Sequence, residues 1–216
     1  RVDRRQRQMC IRDSHTTEDI AILRSIPNLM ILSPATPRQV AACVQTAYEH
    51  QGPVYIRIGM NHEKEFFEAN YQHIVGKDDY VMNGKDIVIF VTGSILEEVY
   101  EACSKLGLEG IAARVINVST IKPFNRNEVL DAAKLFKQIF VVEEHNIHGG
   151  LAGIIAETLA FSGACAQVVP IGLNDIFAIG YGTHSMVRRQ NGLDAESIYL
   201  RIKEKMNYEG ICTRRY

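Results

Sequence analysis

The 216-residue chain sets 24 basic against 25 acidic side chains, a balance that gives no electrostatic reason to expect nucleic acid or a membrane surface as partner. No apolar run approaches the ~20 residues needed to cross a bilayer, and a chain of this length that is 46% hydrophobic can bury a core without staples. The five cysteines (Cys10, Cys43, Cys103, Cys165, Cys212) form no C-x-x-C pair, which argues against a zinc knuckle or a disulfide framework and points to a reduced, cytoplasmic setting.

Residues 1–14, RVDRRQRQMCIRDS, carry five arginines and no apolar periodicity. A basic anion-binding arm and a disordered terminus are two readings of such a stretch. The third, which we favour, is that RRQRQMCIRDS resembles the translation of a sequencing-library adaptor, so that residues 1–14 are set aside from fold reasoning. Without them the chain holds 19 basic and 23 acidic side chains, and the basic terminus implies no partner.

From residue 15 the pattern is regular. Thr17 can cap a helix whose first turn carries Glu18 and Asp19, with Ile20, Leu23 and Ile26 as apolar positions. Pro27-Asn28 predicts a turn and Leu29 to Leu32 a strand. Thr36-Pro37 opens a second helix, with Val40, Cys43, Val44, Ala47 and Tyr48 on one face, and Gly52-Pro53 stops it before a strand from Val54 to Ile58. Residues 62–84 are polar and read as a linker that can carry a short hairpin; the linker proper is placed at 67–84. Then DIVIFVTG predicts a strand buried on both faces of a parallel sheet. Ser94 and Glu97, and later Asn125 and Glu128, have capping-box spacing. Further strands are predicted at Ala112 to Val118, Gln138 to Val142 and Ala166 to Pro170, with a helix after Gly149-Gly150 and a last helix capped by Asp194 that buries Ile198, Ile202 and Met206. Strands alternating with helices indicate an α/β protein built of parallel crossover units.

Four groups of residues are candidates for chemistry. Glu143, Glu144, His145 and His148 stand at a strand end, where α/β folds place sites. The two histidines could hold a metal, or the cluster could be structural. Gly149-Gly150-x-x-Gly153 fits either an anion-binding turn or a tight turn with close helix–strand packing. Asp175, Tyr181 and His184 share a glycine-containing loop, and loops carry function. Arg57, inside the apolar run VYIRIG, must be paired or reach a surface, as an anion ligand or as half of an ion pair.

Taken together, HTTEDIAILRSIPN, GPVYIRIG, INVSTIKPF and VVEEHNIHGGLAG resemble the transketolase family over nearly all of residues 15–208, and in particular its split carboxy-terminal subunits. The resemblance implies that 15–66 is the end of a pyrimidine-binding domain and 85–208 a carboxy-terminal-type domain with a mostly parallel sheet, leaving 209–216 as a tail. It implies transfer of a two-carbon ketol unit between sugars or sugar phosphates, with thiamine diphosphate and a divalent metal such as magnesium. It also implies an amino-terminal subunit or upstream domain as partner, in a dimer or heterotetramer. The relatives' Gly-Asp-Gly motif does not occur here, and their activating Glu lies upstream. Counting back from Arg24, the histidine of the family's Pro-Thr-His motif falls at Ser14, which leaves His15 only adjacent to the site. The phosphate-binding Arg of many members aligns with Met60, and a thioether cannot supply paired N–H donors, which leaves substrate binding to Arg57 or to upstream residues. Deoxyxylulose-phosphate synthase, the 2-oxo-acid dehydrogenase beta subunit and a non-catalytic dimerisation or assembly module are the alternatives. A fragment without its upstream strands is also expected to expose apolar surface.

Overall fold

The computed structural model describes residues 16–59, 63–180 and 182–212, and side chains as far as residue 206. His15, Met60 and Tyr181 lie outside the described residues. Two sheets organise the chain. The first has three strands, with β1 (Met30–Leu32) at its centre, parallel to β2 (Val54–Ile56) on one side and antiparallel to β6 (Thr120–Lys122) on the other. The second has five. There β4 (Ile87–Thr92) pairs in parallel with β5 (Ala113–Asn117) and β7 (Gln138–Asn146), and β7 with β8 (Gln167–Leu173). Strand β3 (Asp79–Asn83) closes one edge antiparallel to β5, giving the order β3-β5-β4-β7-β8.

The second sheet is a two-faced core, and β4 shows why. Successive side chains of a strand point to opposite faces. Ile87, Ile89 and Val91 join one apolar cluster, with Leu96, Val99, Cys103 and Leu106 of α3 (Leu96–Leu108) and Ile198 and Ile202 of α7 (Ala195–Cys212). Val88 and Phe90 join the other, with Val129 and Ala132 of α4 (Arg126–Leu135) and Leu151, Ile154, Ile155 and Leu159 of α5 (Leu151–Ser162). With helices on both faces, every residue of β4 is buried, which is the condition that a continuous apolar run signals. Ile20 of α1 (Asp19–Leu23) and Ile31 of β1 belong to the second cluster too, so the short first sheet is packed onto the larger one.

Several elements depart from the sequence reading. The stretch read as linker contributes β3, which pairs with β5 and forms no hairpin of its own. A polar network ties that stretch to α2 (Pro37–Glu49). The Gln39 amide nitrogen donates to Asp79 at 2.8 Å and to Tyr71 at 3.1 Å, while its oxygen accepts from Ala35 N–H and from Asn117. His73 sits between Thr46 and Thr120, 3.0 Å from each hydroxyl, and burial lowers its pKa. Thr36 caps α2 as expected, its hydroxyl accepting from Gln39 N–H. The helix buries Gln39 and Cys43, whereas Val44 and Tyr48 of the expected apolar face are 51% and 86% exposed. Thr17 makes no cap; its hydroxyl donates to Glu18. Ser94 makes none either, because α3 is entered through a 3-10 turn, Gly93–Ile95, and the Ser94 hydroxyl faces Arg188 instead. Asn125 likewise makes no side-chain cap bond.

Candidate functional site

The carboxyl ends of β2, β4 and β7 meet at one cleft of about 460 Å³, lined by Thr16, Thr17, Tyr55, Ile56, Arg57, Ile58, Gly59, Gly93, Ser94, Glu144 and His184. A smaller cavity of about 90 Å³ adjoins it and shares Thr17, Glu144 and His184, with Leu173, Ala178 and Val187 among its apolar lining. Strand β7 supplies the divider. It continues past Val142 to Asn146, so Glu143, Glu144 and His145 extend from a pleated strand and alternate in direction. Glu143 and His145 turn toward α5 and α1, and Glu144 turns toward the cleft.

The inward pair is structural. Glu143 accepts from the first two amides of α5, Leu151 N–H at 2.7 Å and Ala152 N–H at 2.9 Å. Burial raises its pKa to about 7 despite those two donors. A Cβ at Gly150 would fall 2.1 Å from the Glu143 carboxylate and 2.6 Å from His145 Nδ1. The Gly149-Gly150 turn therefore allows close helix–strand approach. A carboxylate of the chain itself occupies the first two amides of the helix start, the place an outside anion would take. His145 Nδ1 donates to the Asn146 carbonyl at 2.6 Å and Nε2 accepts from Ala21 N–H at 3.4 Å; burial lowers its pKa. With both ring nitrogens engaged, His145 has no lone pair for a metal. Among the described residues no three His, Cys, Asp or Glu side chains converge to hold one.

The outward residue is held by two partners. Glu144 accepts from His184 Nε2 at 2.5 Å and from Arg188 Nη2 at 2.9 Å. Burial opposes its ionisation, but His184 and Arg188 outweigh that and hold its pKa at about 2. Both partners stand on α6 (His184–Gln190), which Thr183 caps by accepting from Met186 N–H. Asp175, read as a loop companion of His184, turns away instead and meets Asn146 at 3.5 Å.

Arg57 forms an ion pair and also faces the cleft. Its Nε donates to Asp19 at 2.9 Å, and its Nη2 donates to the Glu144 carbonyl at 2.9 Å and the Thr16 carbonyl at 3.2 Å. Tyr55 also donates to Asp19 at 2.8 Å, and its own pKa is pushed up to about 12 by burial and by that carboxylate. Asp19, read from sequence as a helix-start charge, is thus the buried counter-ion of the cleft. Nothing local signals this, because the partners lie 38 residues apart. Arg188 escapes the sequence reading too, although His184 and Arg188 are four apart and share a helix face.

Transketolase-family enzymes use thiamine diphosphate. The described residues do not form a set that would hold it: no metal ligands converge, the α5 amides are occupied and Arg57 is committed to Asp19.

Comparison with known proteins agrees with this architecture. The transketolase C-terminal domain family matches residues 76–198, and the transketolase pyrimidine binding domain family matches residues 12–62. The chain is 34% identical to a putative transketolase C-terminal section of Methanocaldococcus jannaschii, over 94% of this chain and 61% of that one. It is 32% identical to an apulose-4-phosphate transketolase subunit of Actinobacillus succinogenes, over 85% of this chain and 59% of the relative. A 1-deoxy-D-xylulose-5-phosphate synthase of Heliobacterium modesticaldum is 30% identical over 85% of this chain but only 29% of its own length. A solved split gene transketolase, described as an inactive beta4 tetramer, superposes with a TM-score of 0.81 at 33% identity, over 88% of this chain and 61% of the other. The chain thus spans about 60% of the length of the first two relatives. On these matches, and with the strands and helices arranged as above, the chain belongs to the transketolase family.

Proposed function

We propose that this chain builds one wall of a thiamine-diphosphate-dependent ketol-transfer site, and that an amino-terminal subunit or upstream domain completes it. The reaction moves a two-carbon ketol unit from a ketose to an aldose. One observation carries the reading. The cleft is lined by Thr16 and Thr17, just before α1, and by Ile58 and Gly59, just after β2. These residues adjoin positions 15 and 60, which the family resemblance puts beside the active site and at the phosphate-binding Arg. In this reading residues 15–66 are the end of the pyrimidine-binding domain and 85–208 the carboxy-terminal domain. Arg57, oriented by Asp19, presents its remaining nitrogen to substrate. The cofactor and its metal belong to the partner. A dimer or heterotetramer in the cytoplasm fits the buried free thiols Cys43 and Cys103, which burial pushes up to about 12. The chain alone does not turn over, in keeping with the inactive state named for one solved relative.

A second reading has one support: in a 1-deoxy-D-xylulose-5-phosphate synthase that the chain resembles, the matching section is 29% of a longer chain. The flanking DNA separates the readings. An upstream segment or neighbouring frame with a Pro-Thr-His motif, an activating Glu and a Gly-Asp-Gly segment is expected. A native stop codon or an unrelated domain just before residue 15 would contradict ketol transfer.

A further inference from the structure

The cleft wall is charged, but among its described residues no guanidinium is without a carboxylate partner. Three of the donor positions of Arg57 are spent on Asp19, Thr16 and Glu144. Its Nη1 remains, turned toward Gly93, where an added Cβ would stand 3.7 Å away. A guanidinium with one free nitrogen cannot offer the two parallel N–H donors that grip a phosphate or a sulfonate. In the adjoining smaller cavity, Arg188 lies 2.9 Å from Glu144 and 3.6 Å from Glu98. Two guanidinium groups therefore serve three carboxylates, Asp19, Glu98 and Glu144. A phosphate monoester, which adds about −1.5 to −2 of charge, would meet guanidinium groups already paired with carboxylates.

Hydroxyl groups fit the same wall. The Ser94 hydroxyl accepts from Arg188 at 2.9 Å and so keeps its own proton to donate. His184 spends Nε2 on Glu144, which leaves Nδ1 as a second polar atom beside Arg57 Nη1. Ile56 and Ile58 give an apolar wall for the C–H face of a sugar.

We propose that this cleft binds the uncharged, polyhydroxy end of a sugar chain and excludes a phosphate or sulfonate end. The inference rests on the cleft being a substrate wall, as argued above, and adds the substrate class. The test uses the chain assembled with its amino-terminal section, titrated calorimetrically with ribose and with ribose 5-phosphate, and assayed for ketol transfer to each. Phosphorylation is expected to weaken binding or leave it within about threefold, and His184→Ala to weaken ribose binding and raise its KM about three- to tenfold, with kcat within about twofold. A phosphate gain of about tenfold or more that disappears in His184→Ala or in Arg57→Met would overturn the assignment, because it would place the anion in this cleft. Failure of both sugars to bind would overturn it as well. Ribose binding with the expected His184→Ala loss but no ketol transfer would leave the ligand class intact and sink the proposed reaction instead.

Discussion

Glu143 and Glu144 are neighbours in sequence with opposite ionisation. Glu143 faces apolar packing and two amides, and its pKa rises from the ordinary 4.5 to about 7. Between those values the folded chain binds more protons than the unfolded one, so stability falls as pH rises through that window. Glu144, held by His184 and Arg188, titrates at about 2. Its contribution is complete above pH 4.5 and is lost as pH falls toward 2. Urea midpoints across this range should show Glu143→Gln flattening the decline between pH 4.5 and 7, a decline of about 2–3 kcal/mol in the parent. Glu144→Gln should cost about 2–3 kcal/mol at pH 7, since Arg188 loses its closest carboxylate, and the cost should vanish at low pH. Equal costs at both pH values would show that Glu144 acts through packing. Gly150→Ala drives a methyl into Glu143 and His145; a loss of about 1–3 kcal/mol in thermal unfolding is expected, and an unchanged Tm would refute the close approach.

At the scale of elements, the sequence is legible where burial is simple. The β4 run DIVIFVTG, the Thr36-Pro37 start of α2 and the Ile198/Ile202 face of α7 stand where periodicity puts them. Strands β3 and β6 are not legible. The first is a mixed-polarity edge strand and the second is three residues long, and both gain their identity from distant partners, Arg114–Asn117 and Ile31–Leu32. The Gln39 network is hidden for the same reason, since its members span residues 35–117. Gln39→Leu leaves Asp79, Tyr71 and Asn117 without their partner. It should cost about 2–3 kcal/mol in denaturant unfolding and speed amide exchange through residues 67–78. A loss under about 0.5 kcal/mol would show that the stretch is held by other contacts.

At the scale of the molecule, Ile22, Val44, Tyr48 and Ile58 leave apolar surface exposed on the first sheet's side, and Leu108, Leu135 and Phe161 do so around the larger sheet. The candidate site is half legible in the sequence. Arg57 and His184 stand out there as a charge in an apolar strand and a histidine in a glycine loop. Asp19 and Glu144 become their partners only once β2, β7 and α6 meet. What joins these observations is a cleft that has walls but, among the described residues, no cofactor-holding set of its own. The most direct test is reconstitution. The purified chain, its purified amino-terminal section and an equimolar mixture would each be given thiamine diphosphate, magnesium, a ketose donor and an aldose acceptor. Ketol transfer in the mixture, with none from either part alone, is the predicted result. A stable complex that transfers no ketol unit between any sugars tried would contradict the account and leave the chain as an assembly module.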